Sequence, residues 1–138
     1  MSRSSRGART PRERDVGQDV LAALGTSPLC RIWRQNSGKA RALKGDGFVQ
    51  LAPRGAADYS GLLCDGRRLE IETKATHTDT CACESCAGQR HWAAMIRRFG
   101  GVYLRVRSGA EALAAVEAEV AQAAEVPLDT EVAHARGE

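Results

Sequence analysis

The chain has 138 residues and a formal net charge of +3, with 43% hydrophobic but only 4% aromatic residues. That length supports one modest domain with a core of Leu, Val, Ile and Ala. No apolar run reaches the roughly 18 residues that span a bilayer, and the Arg/Ser-rich start carries no signal-peptide pattern, so a cytoplasmic protein with no membrane partner is expected. Five cysteines, an odd count without a secretion signal, argue against a disulfide framework.

Residues 1–10, MSRSSRGART, lack periodicity and read as a disordered basic arm. Its Arg3, Arg6 and Arg9 suit either a solvated tail or non-specific phosphate contacts. A domain over 11–124 and a flexible tail over 125–138 follow. Thr10 as a cap, Pro11 in the first turn and Glu13 as an early acid open a helix. Val16, Val20, Leu21 and Leu24 mark its apolar face, and Gly25 ends it.

Pro28 to Gln35 predicts a strand, with Cys30 and Ile32 inward and Trp33 a further inward candidate. Asn36-Ser37-Gly38 turns the chain. Residues 38–47 carry Lys39, Arg41 and Lys44 among glycines and read as an exposed basic loop. Phe48 to Leu51 is a short strand, and Pro53-Arg54-Gly55 leads onward. Arg34, Lys39, Arg41, Lys44 and Arg54 together are candidates for a phosphate track, although singly each is an ordinary surface charge.

Gly55 to Ala75 reads as two strands around Asp65-Gly66. In the second strand Leu69, Ile71 and Thr73 fall on one face, and Arg68, Glu70, Glu72 and Lys74 on the other. The apolar face suits a core; the charged face is expected to line a cleft. A three-residue loop of Cys64, Asp65 and Gly66, with Gly66 left-handed, would pair Asp58 with Glu72. A two-residue loop would pair Asp58 with Thr73 and put it on the opposite face. Only the first gathers Asp58, Glu72 and Lys74. Two carboxylates beside a lysine suit a hard divalent cation and a phosphate; the plain alternative is a surface Glu–Lys ladder. Glu70, on the same face as Glu72, is expected to be a solvated strand charge, with an acid supporting the metal ligands as the alternative.

THTDTCACESCAGQ follows, and Cys81, Cys83 and Cys86 with His77 or His91 nearby suit a Cys₃His zinc site. The compressed spacing and the missing second pair leave a metal-free cysteine loop as the alternative. Cys30 and Cys64 read as buried free thiols. Gln89 to Phe99 is helical, with Trp92, Met95, Ile96 and Phe99 at helical spacing and Gly100-Gly101 as its end. Trp92 is expected in the core rather than as a base-stacking platform. Val102 to Val106 is a strand, and Ser108 caps a final helix to about Ala124. The order implies an α/β sandwich around a mixed sheet.

These pieces together resemble the VRR-NUC nucleases, a minimal branch of the PD-(D/E)XK superfamily. The matching residues are Glu13; Arg34 to Gly38; Gly55, Asp58 and Gly61; Leu69 to Lys74; Gln89; Gly100-Gly101; and Arg107-Ser108. They cover about three-quarters of the chain, and their order and spacing, rather than any one piece, carry the likeness. The resemblance implies a restriction-endonuclease-like core, a mixed central sheet flanked by helices in the order αβββαβα. It implies Mg²⁺ or Mn²⁺ held by Asp58, Glu72, the Thr73 carbonyl and Glu13, with Lys74 catalytic and Gln89 in support. Ala57 stands where the family often has proline. The family's small phage members further imply a homodimeric resolvase of four-way DNA junctions in a bacterial or phage-infected cell. Nicking or flap cleavage is the alternative within the class. A non-catalytic, zinc-stabilised DNA-binding module is the alternative outside it.

Overall fold

The computed structural model describes residues 12–36, 39–76 and 78–125. The basic arm, Thr10, Pro11, His77 and residues 126–138 of the expected tail lie outside the described residues.

Helix α1 spans Glu13–Gly25, one residue after an Arg12 cap whose amide donates to Asp15 Oδ2 at 3.3 Å. Its Val16, Val20 and Leu24 are buried at the spacing the sequence showed. Strand β1 (Cys30–Arg34) follows, then a separate hairpin of β2 (Lys39–Arg41) and β3 (Phe48–Gln50). Strands β4 (Tyr59–Leu63) and β5 (Arg68–Thr73), helix α2 (Glu84–Arg98), strand β6 (Val102–Val106) and helix α3 (Gly109–Glu125) complete the order.

The main sheet runs β1-β4-β5-β6. The β1–β4 and β4–β5 pairs are antiparallel and β5–β6 is parallel, so the sheet is mixed. The parallel pair requires a crossover, and α2 supplies it. One face of the sheet carries the larger core: Val16, Val20 and Leu24 of α1 and Ala112 and Val116 of α3 pack with Leu69, Ile71 and Val106. The other carries a smaller cluster of Ala57, Ala93, Ile96 and Tyr103, with Trp92 and Met95 against it. Low aromatic content is met by branched aliphatics and close helix approach. A Cβ on Gly109 would lie 2.5 Å from the Asp19 carbonyl oxygen of α1.

Four expectations change. The basic loop at 38–47 is largely the β2–β3 hairpin, in which Phe48 and Val49 are exposed. Trp33 is half exposed, because β1 is an edge strand and this residue points away from the helices' core. Cys64 is exposed at the β4–β5 turn, whereas Cys30 is buried as expected. Helix α2 begins at Glu84, five residues before Gln89, so the cysteines flank and enter its first turn.

Candidate active site

The β4–β5 loop fixes which side chains meet. Tyr59 pairs with Ile71 and Leu62 with Arg68, so Asp58 and Glu72 are next in register. Cys64, Asp65 and Gly66 form the three-residue loop: the Leu63 amide donates to the Arg67 carbonyl at 2.9 Å, and Gly66 has φ +90°. Glycine takes that left-handed backbone without the steric penalty a side chain brings.

The charged face of β5 is not an open cleft wall. Helix α2 covers it, and Glu70, Glu72 and Lys74 are all buried. Glu72 Oε1 accepts from Gln89 Nε2 at 2.7 Å and lies 3.2 Å from Lys74 Nζ. Its Oε2 is buried with no hydrogen-bond partner among the described residues. Burial raises the Glu72 carboxyl to about 7; the Asp58 charge adds to the rise, and Lys74 and the Asp58 backbone amide oppose it.

Asp58 sits at the strand ends. Its Oδ2 accepts from the Thr73 amide at 3.0 Å and from Thr73 Oγ1 at 2.8 Å. A cavity of about 330 Å³ opens here, lined by Asp58, Thr73, Glu13, Arg34, Gln35 and other residues of α1 and β1. The structure therefore groups the expected residues in two adjoining sets. Glu13, Asp58, Thr73 and Arg34 face the cavity, while Glu72, Lys74 and Gln89 are joined beneath α2.

The expected basic track is spread over several elements. Lys39 and Arg41 lie on β2, Lys44 is exposed in the β2–β3 turn, and Arg54 is exposed and 3.3 Å from Glu84. At that exposure the ion pair contributes little. His91 is exposed on α2.

Glu70 departs most from expectation. It is fully buried rather than solvated. Arg68 Nε and an Arg68 terminal nitrogen donate to Oε1 at 2.9 and 2.7 Å, and Trp92 Nε1 donates to Oε2. Trp92 thus packs against the smaller core and also satisfies a buried acid. This pairing holds a charge that would otherwise be costly to bury.

Sequence reasoning missed Tyr103 and Arg105. They pair in register with Glu70 and Glu72 across β5–β6. Burial first, then Glu72, Glu70 and Asp58, pushes the Tyr103 hydroxyl up. Tyr103 and Arg105 line a cavity of about 260 Å³ with Gln89, Arg90, Ala93 and Arg97. The alternation of Tyr103 and Arg105 along a strand parallel to β5 is the signal that could have found them. Within the Arg34 to Gly38 motif, Gln35 Oε1 accepts from Ser60 Oγ, tying the β1 end to β4.

Comparison with protein-family models, with curated proteins and with solved structures finds no match. Among the described residues no helix is long and apolar enough to cross a membrane.

Proposed function

We propose that the chain is a divalent-metal-dependent DNA endonuclease of the PD-(D/E)XK type, close in kind to the VRR-NUC nucleases. Its preferred substrate on this reading is branched DNA, the four-way junction first, cut by a homodimer. The observation that carries the proposal is the β4–β5 register, which sets Asp58 against the end of β5 through Thr73, beside Glu72 with Lys74 Nζ 3.2 Å from it. The order of the main sheet and its helices, with the β2–β3 hairpin inserted after β1, supports it: one helix, three antiparallel strands, a crossover helix, a parallel strand and a last helix.

The donor set fits a hard cation. Glu72 Oε2 is a buried acceptor with a place left for a ligand, and Asp58 and Glu13 add carboxylates at the adjoining cavity. Asp58, Glu72 and the Thr73 carbonyl would hold Mg²⁺ or Mn²⁺, both of which favour oxygen donors. Such an ion supplies charge stabilisation at the phosphate and a water acidic enough to attack.

The chain's own residues do the rest. Gln89 and Lys74 both engage Glu72 Oε1, which leaves the buried Oε2 without a hydrogen bond among the described residues. Thr73 holds Asp58 by two hydrogen bonds, so its second oxygen is left to the cavity. Lys74 places a fixed positive charge where negative charge grows on the phosphate during attack. Arg34 at the cavity wall, with the basic β2–β3 hairpin and Arg54, gives the backbone phosphates cationic partners. Two copies related by a two-fold axis match the symmetry of a four-way junction with two strands to cut.

The test is a panel of labelled duplex, flap and four-way junction DNA incubated with purified protein in Mg²⁺ or in EDTA. Cleavage in Mg²⁺ alone, strongest on the junction, is the expected result. Strongest cutting of flaps or nicking of duplex would move the specificity. Binding without cleavage in any metal would favour a DNA-binding module.

A further inference from the structure

The described residues hold one further cluster of ligating side chains, at the start of α2. The Sγ atoms of Cys81, Cys83 and Cys86 all lie within 4.8 Å of one another. Thiolates bound to one zinc at about 2.3 Å in tetrahedral geometry stand about 3.8 Å apart. The cluster is therefore within about an ångström of closing on one ion. A disulfide would join only two of the three sulfurs, at about 2 Å.

We propose that Cys81, Cys83 and Cys86 form a thiolate site for a soft d¹⁰ divalent cation, zinc foremost, which fixes the first turn of α2. Cys83 is the N-cap of α2, and its Sγ accepts from the Cys86 amide at 3.4 Å. An amide donor and the positive end of a helix both favour the thiolate. Cys86 is fully buried, so an ion there is shielded on the helix side. The Cys81 carbonyl accepts from Arg90 at 2.6 Å, and the Thr78 carbonyl accepts from Arg105 at 2.9 Å. The segment bearing the first ligands is thus pinned to both α2 and β6.

Charge balances. Three thiols give up three protons to solvent, and three thiolates with one dication leave a net charge of −1 beside Arg90 and the α2 N-terminus. The fourth tetrahedral position takes a further ligand from solvent or chain. Thiolates select zinc over Mg²⁺, and the oxygen donors at Asp58 and Glu72 select the reverse, so the two sites do not compete.

The site bears on the rest of the molecule through α2. Gln89 lies one helical turn beyond Cys86 and reaches Glu72 at 2.7 Å. A cation that orders the first turn also positions Gln89. Only this last consequence rests on the nuclease reading; the cation site itself does not.

The test uses the full chain, purified without a histidine tag and with its thiols kept reduced. Stripped protein is titrated with Zn²⁺ and with Co²⁺. The expected result is one Zn²⁺ per chain, release of up to about three protons per ion, and thiolate-to-cobalt charge-transfer absorption with tetrahedral d–d bands. Cys83→Ser and Cys86→Ser should each abolish these bands, while Cys64→Ser should keep them. Cys83 is exposed, so its variant remains informative should loss of the buried Cys86 thiol unfold the chain. Zn²⁺ should also slow hydrogen exchange at the amides of 84–89. Zinc far below one per chain at saturation, or an octahedral Co²⁺ spectrum indifferent to Cys83→Ser, would overturn the site. Stoichiometric zinc with unchanged exchange at 84–89 would overturn its role in α2. None of these readouts uses DNA, so a failure of the nuclease reading would show only in the cleavage panel.

Discussion

Gln89 on α2 donates to Glu72 Oε1 on β5 at 2.7 Å, joining the helix to the strand that carries the acids. With Lys74 at the same oxygen, the contact sets which Glu72 oxygen is left over. Gln89→Ala should weaken Mn²⁺ binding and cleavage by about 10–100-fold, the usual effect of losing an outer partner of a metal ligand. It should also move the acid limb of the pH–rate profile upward, since a donor to ionised Glu72 is lost. A variant with unaltered Mn²⁺ affinity and profile would remove Gln89 from the site.

The raised Glu72 carboxyl has a consequence for stability. Its folded value, about 7, lies above its ordinary 4.5. Its contribution to stability is therefore fully present below about pH 4.5 and is lost as pH rises through about 7. The metal-free protein should lose stability over that window, by on the order of 3 kcal/mol at most from this group. A cation binds the ionised form, so Mn²⁺ should raise Tm more at about pH 8 than at about pH 5. Thermal shifts equal at both values would contradict the placement of the cation at Glu72.

Gly55 and Gly66 share left-handed backbone, with φ +81° and +90°, but not surroundings. A Cβ on Gly55 would lie 2.3 Å from the Gly88 carbonyl oxygen of α2, whereas Gly66 has nothing within 4 Å. Gly66→Ala should cost about 1–2 kcal/mol for backbone strain alone. Gly55→Ala should cost clearly more, because α2 must also move, and should lower cleavage by displacing Gln89. Denaturant melts of the two variants compare them directly; equal losses would show that the Gly55–Gly88 approach does not position α2.

Trp92→Phe keeps an aromatic ring against Ala93 and Ile96 but removes the donor to Glu70 Oε2. Leaving that buried oxygen without its partner should cost about 1–3 kcal/mol. A urea midpoint unchanged from wild type would show that Glu70 is satisfied without it.

Much of this arrangement was legible in the chain. The alternation of Leu69 and Ile71 with Glu70 and Glu72 set the faces of β5, and Gly66 after Asp65 allowed the loop that opposes Asp58 to Glu72. The burial of the acids was not legible, because it depends on α2 crossing back over the charged face of β5, where Gln89 and Trp92 meet Glu72 and Glu70, and the start of α2 was hidden as well. The segment Glu84-Ser85-Cys86-Ala87-Gly88 has almost no apolar periodicity, and its cap is a cysteine sulfur rather than a hydroxyl or carboxylate. Strand β2 was hidden for another reason: three residues are too short to show alternation, so only its partner β3 was legible, at 48–51. Trp33 misled because an edge strand can leave a large side chain outside the core.

The most direct measurement is the single-turnover rate of junction cleavage in Mg²⁺ by wild type, Asp58→Asn and Glu72→Gln. Junction affinity is measured beside it in Ca²⁺. The account predicts that both variants fall by several orders of magnitude, to the rate seen in EDTA. Affinity should stay within a few-fold or tighten, since each substitution removes a negative charge beside a phosphate. Cleavage by either variant at near the wild-type rate would contradict it.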